Sequence, residues 1–157
     1  MLFRSLDTAL RIYREKFKPS ETLDAPYVMV GANLCIADTD KEATFLRSSA
    51  LQSFVNLRRG QPGPLPRPVD GFESSLNPGE QQMMQDIGQV SAIGSKSTAR
   101  NAIIDILNRT EADEIMFVSG IWDHQKRLAS YRHSAEVMQS IDARASDSAA
   151  AAESITA

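Results

Sequence analysis

The feature that most constrains this chain is the run Tyr27-Val28-Met29-Val30-Gly31-Ala32-Asn33-Leu34-Cys35-Ile36-Ala37, apolar at odd and even positions alike. Side chains on a strand alternate between two faces, so such a run predicts a strand buried on both sides. Strands of that kind belong mainly to parallel sheets covered by helices. Glu114-Ile115-Met116-Phe117-Val118-Ser119 reads as a second buried strand, and Val90-Ser91-Ala92-Ile93-Gly94 as a shorter one.

Between the strands the apolar residues return at helical spacing. Leu6, Leu10, Tyr13 and Phe17 predict an opening helix over about residues 5–17, stopped by Pro19. Thr39-Asp40-Lys41-Glu42 has the form of a capping box ahead of a helix bearing Ala43, Leu46, Ala50, Phe54 and Leu57. Arg58-Arg59-Gly60 ends it. Asn77-Pro78-Gly79-Glu80 opens another helix, with Met83, Met84 and Ile87 on its apolar side. Ser95 or Ser97 caps a helix carrying Ala99, Ile103, Ile106 and Leu107, and Asp123 caps the last, with Leu128, Tyr131, Ala135 and Met138. From residue 142 Ala, Ser and Asp dominate, so residues 142–157 are expected to form a disordered tail behind a domain of residues 1–141.

Residues 61–76 hold four prolines and two glycines and cannot be regular structure. A long irregular loop inside a domain is a lid, a linker or a polyproline ligand, and the lid is the favoured expectation. Helices alternating with strands predict an α/β fold with a parallel sheet. Three strands leave one interior strand and two open edges, so the pattern asks for more sheet than the chain supplies. The sequence reads as a piece.

Composition narrows the function classes. The formal net charge is −3 and the densest basic cluster, Arg58-Arg59, has no aromatic residues interleaved, which argues against nucleic-acid binding. The single cysteine, Cys35, excludes an internal disulfide and reads as a small buried hydrophobe. There is no CxxC or HxxxH, so no metal site is expected. No apolar run has the roughly 18 residues of a membrane helix, and residues 1–5 do not read as a secretory signal. The default expectation is a cytoplasmic protein.

Three stretches carry a resemblance. They are Ala25-Pro26-Tyr27-Val28-Met29-Val30-Gly31 through Ala37-Asp38-Thr39-Asp40, Asn56-Leu57-Arg58-Arg59-Gly60-Gln61-Pro62-Gly63-Pro64-Leu65-Pro66, and Ala112-Asp113-Glu114-Ile115-Met116 through Asp123-His124-Gln125-Lys126-Arg127-Leu128. In order and spacing they are similar to the C-terminal part of bacterial luciferase-like flavin-dependent monooxygenases, over about residues 5–138. The resemblance implies a (β/α)8 barrel of TIM type, of which this chain supplies the last three strands, about three βα units. A whole barrel takes about 250 residues. It also implies reduced FMN, or a reduced deazaflavin, acting with O2 on a small organic substrate. Lys96 and Thr98 depart from the family pattern, in which proline and an acidic residue are common.

In a barrel the site lies at the C-terminal ends of the strands. That places candidates at Asn33, Ser95, Trp122, Asp123 and His124. Asn33 faces the barrel interior or is a satisfied core amide. Gly94-Ser95 at a helix start is the nearest thing to a phosphate cradle, though serine commonly sits there without any anion. Trp122 walls the pocket or packs on the rim. Asp123 is a cap or a catalytic base. His124, the one catalytic candidate, is a general acid or base or a surface contact. The expected partners are flavin, O2, substrate and the missing N-terminal half of the barrel, with self-association through exposed strand faces. The leading function is part of a flavin monooxygenase. The rivals are a shortened non-catalytic homologue that binds or dimerises, and an incomplete product with no function of its own.

Overall fold

The computed structural model describes the backbone of residues 4–155 and the side chains of residues 6–142. The elements run α1 (Arg4–Lys16), β1 (Met29–Ile36), α2 (Asp40–Arg58), a 3-10 turn (Phe72–Ser75), α3 (Pro78–Gly88), β2 (Ser91–Gly94), α4 (Lys96–Thr110), β3 (Glu114–Val118) and α5 (His124–Ile155). The tail expected from residue 142 concerns a stretch whose side chains, past Asp142, lie outside the described residues.

Local signals place the helix starts. The Thr39 hydroxyl accepts from Glu42 N–H at 3.1 Å, but the Glu42 carboxylate accepts from Lys126 Nζ on α5 at 2.6 Å. A reciprocal capping box forms at α3 instead: Asn77 Oδ1 accepts from Glu80 N–H, and Glu80 Oε2 from Asn77 N–H, both at 3.0 Å. Ser95, not Ser97, is the N-cap of α4. Asp123 Oδ1 accepts from Lys126 N–H at 2.9 Å, so its carboxylate caps α5 as expected.

The sheet is parallel, with order β2-β1-β3. Three successive barrel strands would lie in the order β1-β2-β3, so that expectation is corrected here. β1 is central, and its two neighbours share it unequally. β3 pairs with Met29 to Asn33, while β2 pairs with Asn33 to Ile36. The crossovers from β1 to β2 and from β2 to β3 therefore run in opposite lateral directions. If both are right-handed, their helices fall on opposite faces.

The packing agrees. On the even face, Val28, Val30 and Ala32 pack with Leu10 of α1 and Ile106 of α4. Leu34 and Ile36 pack with Ala99 and Ile103 of α4 and Val137 of α5. On the odd face, Cys35 and Ala37 pack with Ala43 and Leu46 of α2 and with Ile121. Behind them Leu51, Val55, Leu76 and Met84 join α2 to α3.

The expectation of strands buried on both faces fails for half of the odd face. Met29, Met116 and Val118 are 53%, 54% and 57% exposed. A Cβ at Gly31 would meet nothing within 4 Å. α2 covers only the C-terminal end of β1, so the alternation of β1 and β3 resolves into one closed face and one half-open face.

Candidate functional site

The half-covered odd face contains a chamber where α2 crosses the strand ends. Its volume is about 120 Å³, and its walls include Cys35, Ala50, Leu51, Ile93 and Ile121. Asn33, Ser91 and Arg47 are its polar side chains. A more open groove of about 360 Å³, bordered by Pro62, Gly63 and Leu65, shares Asn33, Ala50, Phe54, Val118 and Gly120 with it. Those five residues line both spaces and so mark where they meet.

Close approach of helix and strand end shapes that junction. A Cβ on Gly120 would lie 2.8 Å from the Ala50 Cβ, so only glycine fits without pushing α2 away. The loop of residues 61–76 is tied to α2 beyond the groove. Val69 N–H donates to Ser48 Oγ at 2.8 Å, and Gln52 Nε2 to Arg67 O at 2.9 Å.

The polar groups differ in how free they are. Asn33 Nδ2 reaches Ser91 Oγ at 3.5 Å, a long contact, while the Ser91 hydroxyl donates to Ile87 O at 3.0 Å. Arg47 faces Glu73 at 3.6 Å, so its charge already has a partner. Cys35 Sγ donates to Ala43 O at 3.3 Å, and burial pushes its thiol pKa up to about 12. A thiol held protonated at neutral pH is no nucleophile.

Of the residues anticipated from sequence, only Asn33 lines the chamber. It is exposed on the odd face. Trp122 is exposed, with the Arg67 guanidinium 4.6 Å from its ring centroid, a cation–π contact between the proline-rich loop and the start of α5. His124 is exposed, and its Nδ1 lies 2.9 Å from Arg127 Nη2 one turn on. Neither contact engages the chamber.

Ser95 is bound up in a latch that sequence reasoning missed. Its backbone N–H donates to Asp40 Oδ1 at 2.6 Å, and hydrogen bonds from Ser95 and Thr98 hold the Asp40 carboxyl below its ordinary pKa. Gly94, at φ +140°, makes room: a Cβ there would lie 2.7 Å from Asp40 Oδ1 and 2.8 Å from Thr98 Cβ. An aspartate after one strand and a glycine ending another could have been flagged singly. Their meeting depends on β1 and β2 being neighbours. Arg47 was missed because it reads as an ordinary polar position on α2.

Among the described residues no group of three His, Cys, Asp or Glu gathers as metal ligands would, and no helix is long and apolar enough to cross a membrane.

A luciferase-like monooxygenase of Escherichia coli K12 is 41% identical to this chain over 141 residues, which make up 90% of this chain and 41% of that protein. The chain belongs to the luciferase-like monooxygenase family. The uncharacterized protein YvbT of Bacillus subtilis 168 is 36% identical over 129 residues, 82% of this luciferase-like chain and 38% of YvbT. The chain thus spans about two fifths of the length of these curated relatives. Among solved structures, apo-MsnO8 superposes with a TM-score of 0.73 and 25% identity over 85% of this chain and 41% of MsnO8. The monooxygenase RslO1 of Streptomyces bottropensis shares the fold, with a TM-score of 0.50 at 18% identity over 87% of this chain and 37% of RslO1. No protein-family model matches the chain.

Proposed function

We propose that this luciferase-like chain is the C-terminal part of a reduced-flavin-dependent monooxygenase acting with O2 on a small organic substrate. The observation that carries the reading is the 41% identity to the Escherichia coli monooxygenase across 90% of the chain. In this reading β1 and β3 are consecutive wall strands of a partial TIM-type barrel. β2, paired only with the end of β1, is a strand of the rim. The odd face is then the barrel interior, and the chamber under α2 lies at the C-terminal strand ends, where such barrels work.

The start of α4, the candidate phosphate cradle, does not fit a flavin phosphate. A flavin phosphate needs free N–H donors, as at a helix N-terminus. At α4 the Asp40 carboxylate already takes the Ser95 N–H, and the Ser95 hydroxyl takes the Thr98 N–H. A second carboxylate-sized anion there would meet like charge. In this reading the phosphate of FMN, or of a reduced deazaflavin, is held away from the start of α4. What this chain contributes is a wall: Leu51, Ile93 and Ile121 exclude water, and Asn33 orients what enters.

The exposed Met29, Met116 and Val118 favour a second reading, a non-catalytic module that binds or dimerises through this face. Titration with FMN, followed by flavin fluorescence, separates the two. The chain alone is expected to show no micromolar binding. A fusion to the N-terminal portion of the Escherichia coli relative is expected to regain it. Tight binding by the chain alone would make it a self-sufficient flavoprotein, and a folded fusion that binds no flavin would favour the module.

A further inference from the structure

The chamber and its groove set limits on what can lie there. A cavity of about 150 Å³ lined by Leu, Ile and Phe is known to hold benzene. At about 120 Å³ the inner chamber is of that order, with room for a phenyl-sized or short branched group and none for an extended alkyl chain. Cys35, Leu51, Ile93 and Ile121 supply apolar walls, and the raised pKa of Cys35 keeps that wall uncharged.

Polarity enters at one place. Asn33 stands at the junction of chamber and groove, and it is common to both linings. An amide has two N–H donors and one acceptor oxygen. One donor lies at the outer limit of a bond to Ser91 Oγ, whose own proton goes to Ile87 O. The other donor is available to an acceptor arriving at the junction. Arg47 does not demand an anion, because Glu73 faces it.

We propose that this is a binding site for a compact aryl or short branched carbonyl compound. The apolar end fills the chamber, and the carbonyl oxygen accepts from Asn33 Nδ2 at the junction with the groove. The assignment rests on the interior-face reading above. Its assay reads binding rather than turnover, so failure of the site and failure of the monooxygenase reading are distinguishable.

The test uses the full chain, followed by methyl NMR of Ile93 and Ile121, with acetophenone, ethylbenzene, benzoate and 2-decanone as probes. Ketones are chosen because aldehydes would also form imines with lysines. Acetophenone should shift both methyls saturably, while 2-decanone binds at least tenfold more weakly. Asn33→Leu should weaken acetophenone about tenfold, the scale of one hydrogen bond, and leave ethylbenzene unchanged. Ile93→Ala should enlarge the chamber and admit 2-acetylnaphthalene, a gain that misfolding cannot produce. The proposal is overturned if acetophenone gives no saturable shift, if 2-decanone or benzoate binds as tightly, if folded Asn33→Leu binds acetophenone as the native chain does, or if folded Ile93→Ala admits nothing larger.

Discussion

The two faces of the sheet come from the same strands and have different fates. On the even face three helices close over Val28 to Ile36, and Ile103 and Ala92 are fully buried. On the odd face α2 reaches only the strand ends, and Met29, Gly31, Met116 and Val118 are left to solvent. Residues of like hydrophobicity therefore hold the fold on one side and have no role in this chain's core on the other. Burial decides what a residue contributes, and hydropathy alone does not report burial.

The strongest test of that contrast is a pair of truncations. Ile103→Ala on the closed face should cost about 2–5 kcal/mol. Met116→Ala on the open face should stay within about 0.5 kcal/mol. Urea unfolding of both variants measures the gap, and equal costs would show that the odd face is covered in solution.

Gly94→Ala should come next, at about 2 kcal/mol or more, because it combines strain at positive φ with a Cβ driven against Asp40 and Thr98. Its melting temperature should fall well below that of Gly63→Ala, whose Cβ would meet nothing within 4 Å. Similar melting temperatures would mean that the Asp40 latch is loose.

Cys35 sharpens the comparison through pH. Its pKa is raised from 9.0 to about 12, so the folded state resists ionisation that the unfolded chain allows. The unfolded state loses its proton first. Stability is therefore fully present below about pH 9 and declines, at about 1.4 kcal/mol per unit from this group, as pH climbs toward 12. Cys35→Ala should flatten that part of the stability–pH curve. An unchanged slope would place the thiol in contact with water.

The smallest effect on stability is expected from Val118→Lys, within about 0.5 kcal/mol for an exposed position. It should nonetheless shift the chain toward monomer in sedimentation, if the open face drives self-association. No change in the size distribution would remove that face as the cause.

Much of the local structure was legible because its signals are local. Asn77-Pro78-Gly79-Glu80, Ser95 and Asp123 announce helix starts, and Pro19 and Gly60 announce stops, through bonds made within a few residues. The strands too were visible as apolar runs. The sheet order was not, since nothing in residues 27–37 says which partner comes to which edge. Everything dependent on that order was hidden with it: the Asp40–Ser95 bond, the close approach of Gly120 to Ala50, and the chamber. Asn33 was found because a polar residue inside an apolar strand is conspicuous by itself. His124 was conspicuous too, and the fold leaves it beside Arg127, away from the chamber.

The sharing of β1 by two ladders has a consequence for the chain as it is made. Val28 is joined to Asp113, 85 residues later, and Asn33 to Ser91, 58 residues later. A ribosome adding about 5–20 residues per second delivers that later partner about 4–17 seconds after Val28 has been added. Until Ser91 is added β1 has neither neighbour, and its apolar residues have only the helices already made to shelter against. The strand that organises the finished sheet is thus the segment a nascent chain must protect longest, and contacts of such long range are the kind that close slowly.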